Sequence, residues 1–82
     1  MYLHIGDGTV VPYNKILGIF DLDNATYAKR TRDFLERAEE AGRLIPLGQR
    51  LPTSLVVTDH GVYLSPISSQ TLNKRLGKNR WE

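Results

Sequence analysis

The 82-residue chain predicts an α+β domain: a small, mostly antiparallel β-sheet with one long helix and a short C-terminal helix. Three observations carry that prediction. Two turn signals, Gly6-Asp7-Gly8 and Asp59-His60-Gly61, each join runs rich in β-branched residues. One amphipathic stretch, from about Asn24 to Ala41, has apolar residues at helical spacing. A second helical run follows Ser68 and reaches a glycine within three turns.

Taken in order, Tyr2-Leu3-His4-Ile5 alternates as a strand does, and Thr9-Val10-Val11 pairs back on it across the glycine turn. Pro12 has no N–H to give a ladder, so it ends that strand or marks an edge. Tyr13-Asn14-Lys15 is a connector exposing one cation. Ile16 to Leu22, ILGIFDL, is apolar on both faces and predicts a buried central strand, with Gly18 marking a bulge or a close backbone approach.

The long helix should open at an N-cap, Asn24 or Thr26. It should pack through Tyr27, Thr31, Phe34, Leu35, Ala38 and Ala41 and stop at Gly42. Its polar face places Lys29, Arg30 and Arg32 early and Glu36, Glu39 and Glu40 late, against the preference of the helix dipole by roughly 0.3–1 kcal/mol per charge. Lys29–Asp33, Arg32–Glu36 and Asp33–Arg37 spacings offset part of that cost. A functional surface and a tolerant solvated face both fit this order.

Arg43 to Leu47 reads as a short, proline-limited edge strand, and Gly48 to Thr53 as a loop with Arg50 near its tip. In the second hairpin, Leu55, Val57, Val62 and Leu64 fall on one face and Val56 and Tyr63 on the other, so burial on both faces is expected. Ser68 or Ser69 should cap the last helix, with Ile67, Leu72 and Leu76 inward and Gly77 as its end. Residues 1–77 then form one domain, and 78–82 a short basic tail with an exposed Trp81.

A domain this small has a thin stability margin and commonly gains stability from disulfides, a metal or oligomerisation. The chain has no cysteine, and His4 and His60 have no ligand-type spacing, so self-association is the expected device. No basic leader with an apolar run opens the sequence, and no stretch approaches the roughly 20 apolar residues of a membrane span; a cytoplasmic protein without membrane contact is expected. Net charge is only +2, yet it is unevenly spread. Residues 1–40 hold five Lys/Arg and seven Asp/Glu, whereas residues 41–81 hold six Lys/Arg and one acid, Asp59. Such asymmetry suits a polyanion on one face, and it suits a solvated basic surface as well.

Enzymatic signals are thin. Phe20-Asp21-Leu22-Asp23-Asn24-Ala25-Thr26 is similar to the DxDx(T/V) nucleophile motif of haloacid-dehalogenase-type phosphatases, but Ala25 stands where Thr or Val belongs and the chain is too short for that fold. Two acids beside a helix start need no catalytic explanation. Neither histidine has a partner acid or nucleophile at recognisable spacing, and no Gly-Lys-Ser/Thr loop or GxSxG elbow is present. No enzyme activity, cofactor, metal or small-molecule substrate is expected. The basic residues Lys15, Arg50, Lys74, Arg75, Lys78 and Arg80 fall on loops, helix ends or the tail, where phosphate contacts would position DNA without reading its sequence.

Five segments then carry a resemblance: Tyr2-Leu3-His4-Ile5-Gly6 with Val10-Val11, the Ile16-to-Asp21 strand, Phe34-Leu35 before Gly42, SLVVTD at 54–59, and YLSPISSQTLNKR at 63–75. On these the chain resembles the small bacterial regulators of extracellular-matrix genes, the RemA/RemB family, and is closer to its RemB-like branch. The resemblance implies a non-enzymatic, cytoplasmic, DNA-binding transcription regulator of biofilm-matrix genes that assembles as a closed ring. Its cation after the first hairpin falls on Lys15, and its basic loop on Gln49-Arg50-Leu51, where only Arg50 is basic. Lys15 and Arg50 are therefore the leading phosphate contacts, with Arg30, Arg32, Lys74 and Arg75 as further candidates. The thinned loop and Trp81 keep a second expectation open, a protein–protein module that modulates another regulator without touching DNA.

Overall fold

The computed structural model describes residues 1–25 and 28–80, with the side chains of residues 78–80 outside the description. Strands β1 (Tyr2–Gly6) and β2 (Thr9–Pro12) form a two-stranded antiparallel hairpin. A 3₁₀ turn at Tyr13–Lys15 leads into β3 (Ile16–Asp21), followed by a one-turn helix α1 (Leu22–Ala25) and the long helix α2 (Lys29–Glu40). Then come β4 (Leu44–Pro46), β5 (Ser54–Thr58), β6 (Val62–Ser65) and α3 (Ser69–Arg80). The second sheet has four strands in the order β3-β5-β6-β4; its pairs are antiparallel except β4 with β6. The α+β class stands.

The β5–β6 hairpin is the middle of the molecule, and its side-chain alternation builds two cores. Val56 and Tyr63 point to one face, where they meet Leu3, Ile5 and Val11 of the first hairpin and Leu72 of α3. Leu55, Val57, Val62 and Leu64 point to the other, against Leu35 and Ala38 of α2 and Leu22 and Ala25 of α1. The two-faced burial expected from sequence is what the hairpin shows. The four-stranded sheet is thus a central layer, with the β1–β2 hairpin and α3 above and α1 and α2 below.

Several boundaries differ from expectation. β3 is an edge strand, not a central one, because only β5 pairs with it and a bulge interrupts that ladder between Ile16 and Gly18. Its apolar run is only half satisfied: Ile16 and Ile19 pack inward, while Leu17 and Phe20 are exposed. Asn24 does not cap the long helix; it lies inside α1, which Asp21 caps by accepting from the Asp23 backbone N–H at 3.0 Å and from Asn24 Nδ2 at 3.4 Å. The N-cap of α2 is Ala28, which offers no side-chain acceptor. Thr26, the other expected cap, and Tyr27 of the packing stripe lie outside the described residues. Within that stripe Leu35 and Ala38 face the core, but Ala41 is exposed and Phe34 is open to solvent on one side. Gly42 closes α2 as expected, at a φ of 72° that a side chain would resist. Ser68 caps α3 by accepting from the Thr71 N–H at 3.2 Å. Gly77 does not end that helix, which runs on to Arg80, so the expected tail from 78 is helical through residue 80. Trp81 is outside the described residues.

Candidate nucleic-acid interface

The six candidate cations fall on two layers. Arg50 sits in the loop before β5 and lines a shallow cavity with His4, Asp7, Leu47, Pro66 and Ile67. Arg75 reaches the same strand from α3: its Nη1 donates to the His4 carbonyl at 3.1 Å, 71 residues away in sequence. Tyr13 ties the 3₁₀ turn to this place, its hydroxyl donating to the Arg75 carbonyl at 3.2 Å. Lys15 ends that same turn. Lys74 is exposed on α3 beside Arg75. Arg50 and Arg75 are therefore brought together at His4 by contacts that no local sequence spacing reveals; Lys74 is on the same helix as Arg75, and Lys15, in the turn tied to that helix, sets its ammonium against Asp59 of the β5–β6 turn. Arg30 and Arg32 sit in the first turn of α2, on the opposite side of the sheet.

Lys15 is not a bare cation. Its Nζ lies 3.2 Å from Asp59 Oδ2, with both side chains about half exposed. Asp59 is also 3.1 Å, through Oδ1, from His60 Nδ1, and His60 Nε2 is 2.9 Å from the Tyr63 hydroxyl. The Thr58 hydroxyl donates to the Gly61 carbonyl at 2.8 Å, so at 3.3 Å from His60 Nδ1 it can only accept. Nδ1 therefore carries the hydrogen, and in the neutral ring Nε2 accepts from Tyr63. The His60 hydrogen bond and then Lys15 hold the Asp59 carboxyl below the usual carboxylate range. An exposed pair of this kind is worth little to stability.

Sequence reasoning singled out Asp59 only as the one acid in a basic stretch and treated His60 as an isolated turn residue. The pairing of Asp59 with Lys15, 44 positions away, needed the register of β3 on β5, where Ile16 stands opposite Thr58. Of the two acids set beside the phosphatase motif above, the Asp21 carboxylate has a structural duty at the α1 start, where it accepts from the Asp23 backbone N–H. Among the described residues no cluster of three or more metal-ligand side chains occurs, and no helix is long and apolar enough to cross a membrane.

Extracellular matrix regulatory protein B of Bacillus subtilis (strain 168) is 40% identical over 75 residues, spanning 92% of this chain and 89% of that protein. The RemA-like family, described as extracellular matrix regulatory protein A-like, matches residues 2–76. With nearly its whole length matched, the chain belongs to the RemA-like family of extracellular matrix regulatory proteins.

Proposed function

We propose that this chain is a DNA-binding transcriptional regulator of extracellular-matrix (biofilm) genes, working in the cytoplasm by binding rather than catalysis, as a closed, ring-like homo-oligomer. One observation carries the DNA reading: Arg50 and Arg75, from separate elements, converge on His4 of β1, and Lys15 lies in the turn that Tyr13 fastens to the same helix. Cations fixed on one layer can meet successive phosphates of a duplex, and repetition around an oligomer multiplies weak contacts through avidity. On this reading Lys15, Arg50, Lys74 and Arg75 touch phosphate. Arg30 and Arg32, across the sheet, do not share that face.

The test is duplex affinity against salt, read by fluorescence anisotropy. Wild type should bind with a steep negative slope of log affinity on log salt, and Lys15→Ala or Arg50→Ala should each reduce it by about 0.9 per protomer engaged, whereas Arg32→Ala should leave it unchanged. Absence of binding to any duplex at low salt would overturn the reading. A second reading, a protein–protein module that acts without DNA, is favoured by Leu51, which follows Arg50 and is 87% exposed. Light scattering after size exclusion, with and without duplex, separates the two: a mass unchanged by DNA supports the second.

A further inference from the structure

α2 covers only part of its side of the sheet. Beside it, over β3 and β5, an apolar groove stays open, floored by Leu55 and Val57 and walled by Phe20, Phe34 and Leu17. Gly18 shapes one wall, since a Cβ there would lie 2.7 Å from the Phe20 ring; the ring lies back across the glycine. The outer edge of β3 is unpaired, and between Lys15 and Asp21 the strand carries no charge or proline of the kind that normally blunts an edge.

A second apolar patch lies on the opposite layer. Tyr2 and Val10 are diagonal neighbours on the outer face of the β1–β2 hairpin, where Tyr2 stands opposite Pro12 and Val10 opposite His4, and Met1 adjoins them. The two patches contain six of the seven exposed large hydrophobic residues among those described, all between 46% and 70% exposed. Exposure concentrated in this way marks contact surfaces rather than scatter.

We infer that the outer face of the β1–β2 hairpin of one copy docks into the groove between α2 and β3 of a second copy. This rests on the closed-oligomer reading above and names its interface. The placement of the patches selects the geometry. A two-fold contact through either patch buries the same surface on both copies and leaves the other patch wet. A head-to-tail contact buries both on every copy, and such contacts close into rings when the rotation permits. Charge is compatible: Arg30, Arg37 and Arg43 with one acid, Asp59, line the groove, and the hairpin, residues 2–12, carries a single formally charged side chain, Asp7, in its turn.

The experiment is a complementation. Phe34→Glu spoils the groove and Val10→Lys spoils the hairpin face; both residues are exposed, and circular dichroism confirms that each variant folds. Leu17→Lys and Tyr2→Asp serve as replacements should either fail to fold. By light scattering, wild type should be a multiple of the protomer mass and each variant alone a monomer. An equal mixture should form a dimer and stop, since the pair retains one intact groove and one intact hairpin face that fit each other. Variants that keep the wild-type mass overturn the inference while leaving the ring reading intact. A mixture that stays monomeric overturns it, and one variant monomeric while the other keeps the wild-type mass overturns it in favour of a two-fold contact. A monomeric wild type overturns the ring reading, and this interface with it.

Discussion

At the scale of single residues, two buried serines join the layers. Ser65 Oγ donates to the Ile5 carbonyl at 2.5 Å and accepts from the Ile67 N–H at 3.0 Å, while Ser54 Oγ donates to the Ile67 carbonyl at 2.7 Å. Both serines are fully buried. Ser65→Ala leaves two buried backbone groups without partners, and we expect a loss of about 1–3 kcal/mol in urea unfolding. Asp59 gives a pH dependence of definite sign. Its folded carboxyl is depressed below the unfolded value by His60 first and Lys15 second, so its contribution is present above the ordinary carboxylate range and is lost as pH falls through the depressed folded value, below about pH 4. Asp59→Asn should therefore melt only slightly below wild type at pH 7, and the two should converge in acid. A gap that persists or widens in acid would contradict this. None of these contacts was legible in the sequence. Local sequence gives no sign of the Ser65 bond, because its partner Ile5 lies 60 positions away.

At the scale of elements, hydrophobic patterning was a good guide to faces and a poor one to neighbours. The alternation in β5 and β6 assigned each side chain to its proper core. The same reasoning misplaced β3, because an apolar run records that a surface avoids water without saying what covers it; in ILGIF, half of that surface is left for the groove. Helix limits failed for a related reason. Asn24 has the chemistry of a cap, yet Asp21 holds the start of a separate turn, and the long helix begins at an alanine. That alanine is open to improvement. Ala28 has extended backbone, with φ −84° and ψ 130°, and no cap hydrogen bond. Ala28→Asp should supply an acceptor and oppose the cation-rich first turn, raising stability by about 0.5–2 kcal/mol in thermal or denaturant melts. No gain would show that the free N–H groups of α2 already have other partners.

At the scale of the whole molecule, the sheet stands between two surfaces, each carrying cations and an exposed apolar patch. The hairpin-and-α3 layer holds Arg50, Arg75 and Lys74, and Lys15 reaches from its turn to Asp59; the helix layer holds the groove and the mixed charges of α2. The uneven charge count along the chain fits a polyanion-binding face or a solvated basic surface, and it did not reveal that Arg30 and Arg32 stand across the sheet from Arg50 and Arg75. That partition depends on which face of β5 each layer covers, a property of topology. It separates the two proposals experimentally: Phe34→Glu, on the helix layer, should lower the apparent DNA affinity only through lost avidity, with per-protomer salt dependence preserved. Arg50→Ala should do the reverse, weakening DNA binding while the mass in solution stays that of wild type.

The central position of the β5–β6 hairpin has a further consequence during synthesis. Both cores need strands from the last third of the chain: β3 has no sheet partner before β5 exists, and β4 has none before β6. Ile5 and Leu3 likewise wait for Val56 and Leu72. A nascent chain therefore emerges with the residues of the first hairpin, β3 and α2 already synthesised and nothing to bury them against. Leu17, Phe20 and Phe34 are then exposed alongside residues that belong to the cores, at the stage when unpaired apolar segments most readily meet another chain. Native contacts of such long sequence separation also slow folding.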